Sequence, residues 1–272
     1  MLKLARLPLL ALVCMLASGC ITAITTIKLQ PDGSGTIEQS MAMKAAMAAQ
    51  LAAMTAGMGG GAAKPGESAE PELFSEKEMR EAATKYGEGV TFVSSRPIKT
   101  ADLLGRVAIY KFADISKVRI NQKPPSPGPE TTGAPTPAED VHFTFARRPG
   151  GTSLVTVVFP EHTFDKSKKP GEKTTEAQKP DPAQLEMAKK FLDGLHIEIA
   201  LDVAGSILKT NSPYVDGSRV TLLELDFSQL MSNDKVLSEL TQPGSIEEAK
   251  QMLAGMKGVK VNLDKDVSVE FR

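Results

Sequence analysis

Residues 195–205, LHIEIALDVAG, alternate strictly: Leu195, Ile197, Ile199, Leu201 and Val203 share one parity, and His196, Glu198 and Asp202 share the other. Successive side chains of an extended chain point to opposite faces, so this stretch reads as a strand with one face in a core and one face wet. The C-terminal residues repeat the pattern. Val259, Val261, Leu263, Val267, Val269 and Phe271 are all odd, which predicts one long final strand or a hairpin turning near Asp264 to Asp266. In RVTLLELDFSQL, from Arg219, the apolar parity switches between Val220 and Leu222 on one side and Leu223, Leu225 and Phe227 on the other. A β-bulge near Leu222, or a strand covered on both faces, accounts for the switch.

Further strands follow on either side. ITAITTIKLQ and GTIEQSMAM flank PDGS, where Asp32-Gly33 supplies positive-φ turn chemistry. VHFTFA from Val141 and SLVTVVF from Ser153 flank RRPGG, suited to a hairpin turn. VTFVSS from Val90 and GRVAIYKFADI from Gly105 are two more candidates. Helices are fewer. SEKEMREAATKYG opens on Ser75 with Glu78 three residues later, a capping-box pattern, and closes on Gly87. PAQLEMAKKFLDG and SIEEAKQMLAGMKG have a similar form.

Three stretches are too polar or too rich in breakers for a core: 57–72, 121–140 with its six prolines, and 165–182 with its five lysines. They read as mobile, disordered loops. The expected fold class is α+β, a mostly antiparallel sheet of about eight strands with a few packed helices and long loops, forming one domain over residues 20–272.

MAMKAAMAAQLAAMTAGMGGG, from Met41, carries Met43, Met47, Leu51, Met54 and Met58 at spacings that align them on one side of a helix. No charge interrupts residues 45–63. Alanine and glycine contribute too little transfer energy for a membrane span. The stripe suits packing on the sheet, or an adaptable apolar lid that accepts lipid tails or another envelope protein.

At the start, Lys3 and Arg6 precede an apolar run from Leu7 to Leu16, the charged and apolar regions of an export signal over residues 1–19. The run falls short of the roughly 20 residues a spanning helix needs. LASGC, residues 16–20, resembles the lipobox of bacterial lipoproteins. That resemblance implies cleavage before Cys20, a diacylglycerol on its sulfur and an acyl chain on the new amino terminus. Two or more chains turn reversible adsorption into stable anchoring. Ile21 stands where an aspartate would retain a Gram-negative lipoprotein at the inner membrane, so the resemblance implies a lipid-anchored protein of the outer membrane facing the periplasm. Cys14 leaves with the signal, so the mature chain cannot form an internal disulfide.

Chemistry is sparse. His142, His162 and His196 do not stand at metal-ligand spacing, and no cofactor or metal is expected. The chain lacks a G-x-S-x-G elbow, a Walker lysine loop and an H-E-x-x-H pair. A formal charge of −1, no tryptophan and few aromatics speak against nucleic acid as a partner. Glu198, Asp202, Glu224 and Asp226 form the one group of strand-face carboxylates an envelope hydrolase could use; a solvated strand face is the ordinary origin of such a pattern.

CITAITTIKLQPDGSGTIE, with a strand directly after the cysteine, and LDVAGSILKTNSPYVDGSRVTLLELDF, with a second DGS turn before a strand, resemble the LppM-type lipoprotein domain. The resemblance implies a tethered extracytoplasmic α+β domain without catalysis. It implies binding of lipid, glycolipid, another amphiphile or an envelope protein, or else a purely structural interaction module.

Overall fold

The computed structural model describes residues 21–49, 75–121, 140–160, 194–231, 256–262 and 264–272. The α+β class is observed, with the described strands in two sheets. The larger is mixed. Its path runs β10 (Val215–Asp216), β11 (Arg219–Asp226), β8 (Leu195–Val203), β1 (Ile21–Leu29), β2 (Gly35–Lys44), β4 (Leu103–Phe112) and β3 (Thr91–Lys99), with β12 (Val259–Val261) paired to β11. The smaller is antiparallel: β5 (Arg119–Asn121), β6 (Asp140–Arg148), β7 (Thr152–Val158), β13 (Asp266–Phe271) and β9 (Ile207–Thr210). Strands therefore outnumber the eight expected, and β1 and β8 run parallel with Ile21 beside Leu195.

Alternation decides what is buried. The odd residues of β8 are buried, while His196, Glu198 and Asp202 are only partly so. Val155 and Val157 of β7 and Val267, Val269 and Phe271 of β13 follow the same parity. They share a core with Ile27, Leu29, Ile37, Tyr110, Phe112 and Phe143. Each such side chain contributes about 1.5–3 kcal/mol relative to exposure. Tyr110 brings a hydroxyl inside, and it donates to the Met79 carbonyl at 2.9 Å, fastening helix α1 (Glu76–Glu81) to the sheet. The cap expected at Ser75 is present, its Oγ accepting from the Glu78 N–H at 3.2 Å.

Both expected hairpins form. In the first, Gly33 has φ +89°, and Asp32 accepts from the Ser34 N–H at 2.9 Å and its hydroxyl at 2.6 Å. Those hydrogen bonds, which favour the ionised carboxylate, lower the Asp32 pKa. This turn reaches the smaller sheet: Ser153 Oγ donates to the Pro31 carbonyl at 2.7 Å. Asn121 and Asp140, the expected ends of a loop, pair with each other as the last residue of β5 and the first of β6. The interior of that loop, and the loops 57–72 and 165–182, lie outside the described residues.

The final segment departs from both expectations. Val259–Val261 pairs with β11 in the larger sheet, whereas Asp266–Phe271 inserts between β7 and β9 in the smaller one. Val261 packs against the core that buries Val267, Val269 and Phe271, while Val259 is buried in a small separate group with Leu225, Phe227 and Met256; the chain crosses between sheets. Asn262 sits at the crossing, 5% exposed, where its Nδ2 donates to the carbonyls of Thr221 (3.0 Å) and Leu222 (2.9 Å) and its Oδ1 accepts from the Ser212 hydroxyl (3.3 Å). Those two carbonyls flank the predicted bulge, for the β11–β8 register shifts between Thr221 and Leu223.

Candidate functional site

Strand direction gives the larger sheet two unlike ends. Antiparallel pairing sets Ile21 of β1 level with Met43 of β2 and Leu104 of β4, and Leu104 level with Lys99 of β3. Leu195 stands beside Ile21, and Asp226 of β11 beside His196. The opposite end holds Leu29, Gly35, Phe112 and Arg219, and there the smaller sheet is joined: Ile115 N–H donates to the Gly33 carbonyl at 2.9 Å. The first described residue, Ile21, thus begins a strand immediately after Cys20, with no spacer between them.

At the Ile21 end, Met43 and Ala48 form a small buried apolar group, against which Ile21, Met41 and Leu104 pack half-exposed. Met43 belongs to β2, not to a helix; within 41–63, helical structure is described only over residues 45–49. The expected stripe is therefore broken at its first member. Pairing of Met43 with both Ile21 and Leu104 outweighs local helix propensity, since each neighbouring strand supplies hydrogen bonds and apolar contact that an isolated turn cannot. Met47, in the helical turn, is half-buried. Cys20, Leu51, Met54 and Met58 lie outside the described residues.

The strand-face carboxylates do share one side of β8 and β11, and each is already engaged. Arg219 grips Asp202 with two nitrogens, Nε at 2.7 Å and Nη2 at 3.1 Å, and reaches Glu198 with Nη1 at 3.0 Å. Its Nη2 also lies 3.4 Å from Thr26 Oγ1 on β1. Glu224 pairs with Lys260 at 2.7 Å. Asp226 accepts from the Ser228 N–H at 3.0 Å and from the Ser228 hydroxyl, starting helix α2 (Phe227–Met231). His196 Nε2 stands 3.9 Å from Glu198, an ion-pair distance rather than a hydrogen bond.

Glu198 and Glu224 are direct cross-strand neighbours of like charge, a pairing that is unfavourable unless cations intervene. Arg219, Lys260 and His196 supply them. Glu198 raises the His196 pKa, with Glu224 and Asp226 adding to it; His196 and Arg219 in turn hold Glu198 below the usual carboxylate range. A carboxyl so depressed stays ionised near neutrality and is poorly suited to act as a general acid. Among the described residues no group of three or more His, Cys, Asp or Glu side chains could hold a metal ion. His142 faces Arg119 at 3.4 Å, and His162 lies outside the described residues.

Sequence reasoning passed over Arg219 and Asn262. The signal for Arg219 was its place just after the DGS turn, opposite the polar parity of β8; for Asn262 there was none, because the contact depends on the bulge and on the crossing between sheets.

Comparison with protein families gives no match, and comparison with curated proteins gives none. Among solved structures, the chain is similar to the folded domain of the Mycobacterium tuberculosis LppM protein, determined by NMR. The identity is 11% and the TM-score 0.34, over 93% of this chain and 90% of that one. A likeness this distant adds nothing to the strand pairing above and says nothing of ligand or activity. Among the described residues no helix is long and apolar enough to cross a membrane.

Proposed function

We propose that this chain is a non-enzymatic lipoprotein of the bacterial cell envelope, anchored through acylated Cys20 and engaging lipid, another amphiphile or an envelope protein partner. One observation carries the reading: β1 begins at Ile21, so a lipobox cysteine is followed at once by a strand flanked by β2 and β8. Ile21 is half-buried where β1 runs between β2 and β8, and in this reading the acyl chains on the adjoining cysteine hold the domain at a bilayer without a linker. The apolar group around Met43, with half-buried Met47 beside it, is the contact surface in this reading. An outer-membrane position facing the periplasm is part of the proposal and rests on Ile21 following the cysteine.

Metabolic labelling with radioactive palmitate tests the tether. Label enters the wild-type chain and not Cys20→Ser, and globomycin causes the full-length precursor to accumulate. Unlabelled wild-type chain, or processing indifferent to globomycin, overturns the reading. Native mass spectrometry of the protein purified from cells tests the binding role, which predicts co-purified lipid in the wild type and its loss on Met43→Glu in folded protein.

A further inference from the structure

We propose that the Ile21 end of the larger sheet, at its β2–β4–β3 corner, lies against the phospholipid surface, with Ile21, Leu103 and Leu104 at the interface and Lys44 and Lys99 among anionic headgroups. The inference rests on the Cys20 tether and adds an orientation to it. Consecutive Cα atoms are about 3.8 Å apart, so an acylated Cys20 sets Ile21 within a residue's length of the headgroups. Strands lie about 4.8 Å apart, which places β3, three strands from β1, roughly 15 Å to the side and at the same height. The nine residues of β1 carry the other end of the sheet about 30 Å away, far beyond the Debye length of about 8 Å at physiological salt. Only the Ile21 end can feel the surface.

Charge chooses the corner. Among the described residues, the β8–β11 side of this end carries Glu198, Glu224 and Asp226 against Lys260, exposed Lys257, His196 and the more distant Arg219, so that acids and cations there nearly cancel. On the β2–β4–β3 side this end carries Lys44 and exposed Lys99 against Asp102, the one exposed acid there among the described residues, whose carbonyl is bonded to Ala45 N–H at 2.9 Å. The apolar side chains Ile21, Leu103 and Leu104, all half-buried, are on that same side. An anionic surface therefore favours the lysine corner over the charge-balanced one, and the acyl anchor at β1 is the pivot between them.

The chain contains no tryptophan, so a single introduced one reports its own depth. Full-length lipidated protein carrying Leu103→Trp, Lys99→Trp or Leu208→Trp is reconstituted into vesicles of phosphatidylethanolamine and phosphatidylglycerol, 3 to 1 by design, with or without brominated acyl chains. Leu208, in β9 of the smaller sheet, is exposed and serves as the distant reporter. Bromine quenches tryptophan emission at 103 and 99 by about half or more and at 208 by less than about a tenth; Lys99→Trp gives the answer should Leu103→Trp not fold. Replacing phosphatidylglycerol by phosphatidylcholine, or adding Lys44→Glu, reduces the quenching at 103 at least twofold while flotation with the vesicles persists. Palmitate-labelled protein that floats but shows equal quenching at 103 and 208, or none at either, overturns the orientation and leaves the tether standing. Protein that takes no label overturns both.

Discussion

Replacing Asn262 by alanine removes three hydrogen bonds from the point where the chain passes between the sheets. Two of them satisfy the carbonyls of Thr221 and Leu222, beside a bulge where the ladder to β8 is interrupted. Leu222 itself is 1% exposed, so water has no ready access to its carbonyl. An orphaned buried polar group costs about 1–3 kcal/mol, and two of them therefore cost about 2–6 kcal/mol. The third bond, from the Ser212 hydroxyl, adds little, because Ser212 Oγ also accepts from the Tyr214 N–H at 3.2 Å.

With a urea slope near 3 kcal/mol per molar, Asn262→Ala lowers the unfolding midpoint of the polypeptide starting at Ile21 by about 1 M. Asn262→Asp is at least as damaging, since it sets an oxygen against two carbonyl oxygens where a nitrogen donated before. Ser212→Ala costs about 1 kcal/mol. A midpoint shift below about 0.2 M for Asn262→Ala, or an Asn262→Asp chain as stable as wild type, refutes the assignment of these bonds as what holds the bulge and the crossing together.

Tyr110→Phe leaves the Met79 carbonyl without its 2.9 Å donor and lowers stability by about 1–2 kcal/mol, with protection of the α1 amides lost first in hydrogen exchange. Gly33→Ala forces a side chain into φ +89° with its Cβ 2.9 Å from the Phe145 ring; thermal unfolding shifts down by several degrees, and an unchanged transition refutes the packing. Glu198 raises the His196 pKa, so that contribution to stability is complete below the unfolded value of about 6.5 and is lost as pH rises through the folded one. Glu198, depressed by His196 and Arg219, contributes above its ordinary value of 4.5 and loses its contribution as pH falls through the lower folded value. Stability thus declines as pH rises from about 6.5 through the raised folded value, with a slope that His196→Gln flattens, and an NMR titration placing His196 below 6.5 contradicts it.

How much could be read in the chain follows from what alternation encodes. A period of two states which side chains share a face, so β8, the parity switch near Leu222 and many residues of the core were legible before any strand was paired. It does not state which strand is the neighbour. Val259–Val261 and Val267–Phe271 obey one parity and sit in different sheets, Val259 in a small apolar group of its own and Val267, Val269 and Phe271 in the main core, because each strand buries its odd face wherever it is paired. Met43 left the expected stripe for a related reason: Met41 and Met43 satisfy strand spacing while Met43 and Met47 satisfy helix spacing, and the partners Ile21 and Leu104 decide between them.

The same reasoning separates the two candidate surfaces. A lipobox is a local feature, complete within five residues, and needs no fold to be recognised. The ion-pair face needs a register: Arg219 meets Asp202 and Glu198 across β8, and the bulge resets β11 by one residue between Thr221 and Leu223, so that Glu224 falls on the same side as Arg219. Without the bulge, Arg219 and Glu224, five residues apart, would face opposite sides of the sheet, and Glu224 would lose its place beside Glu198 and Lys260. The parity switch that looked like an irregularity of one strand is therefore what assembles the charged face, and Asn262, by holding that bulge, ties the electrostatics of the outer face to the joint between the sheets.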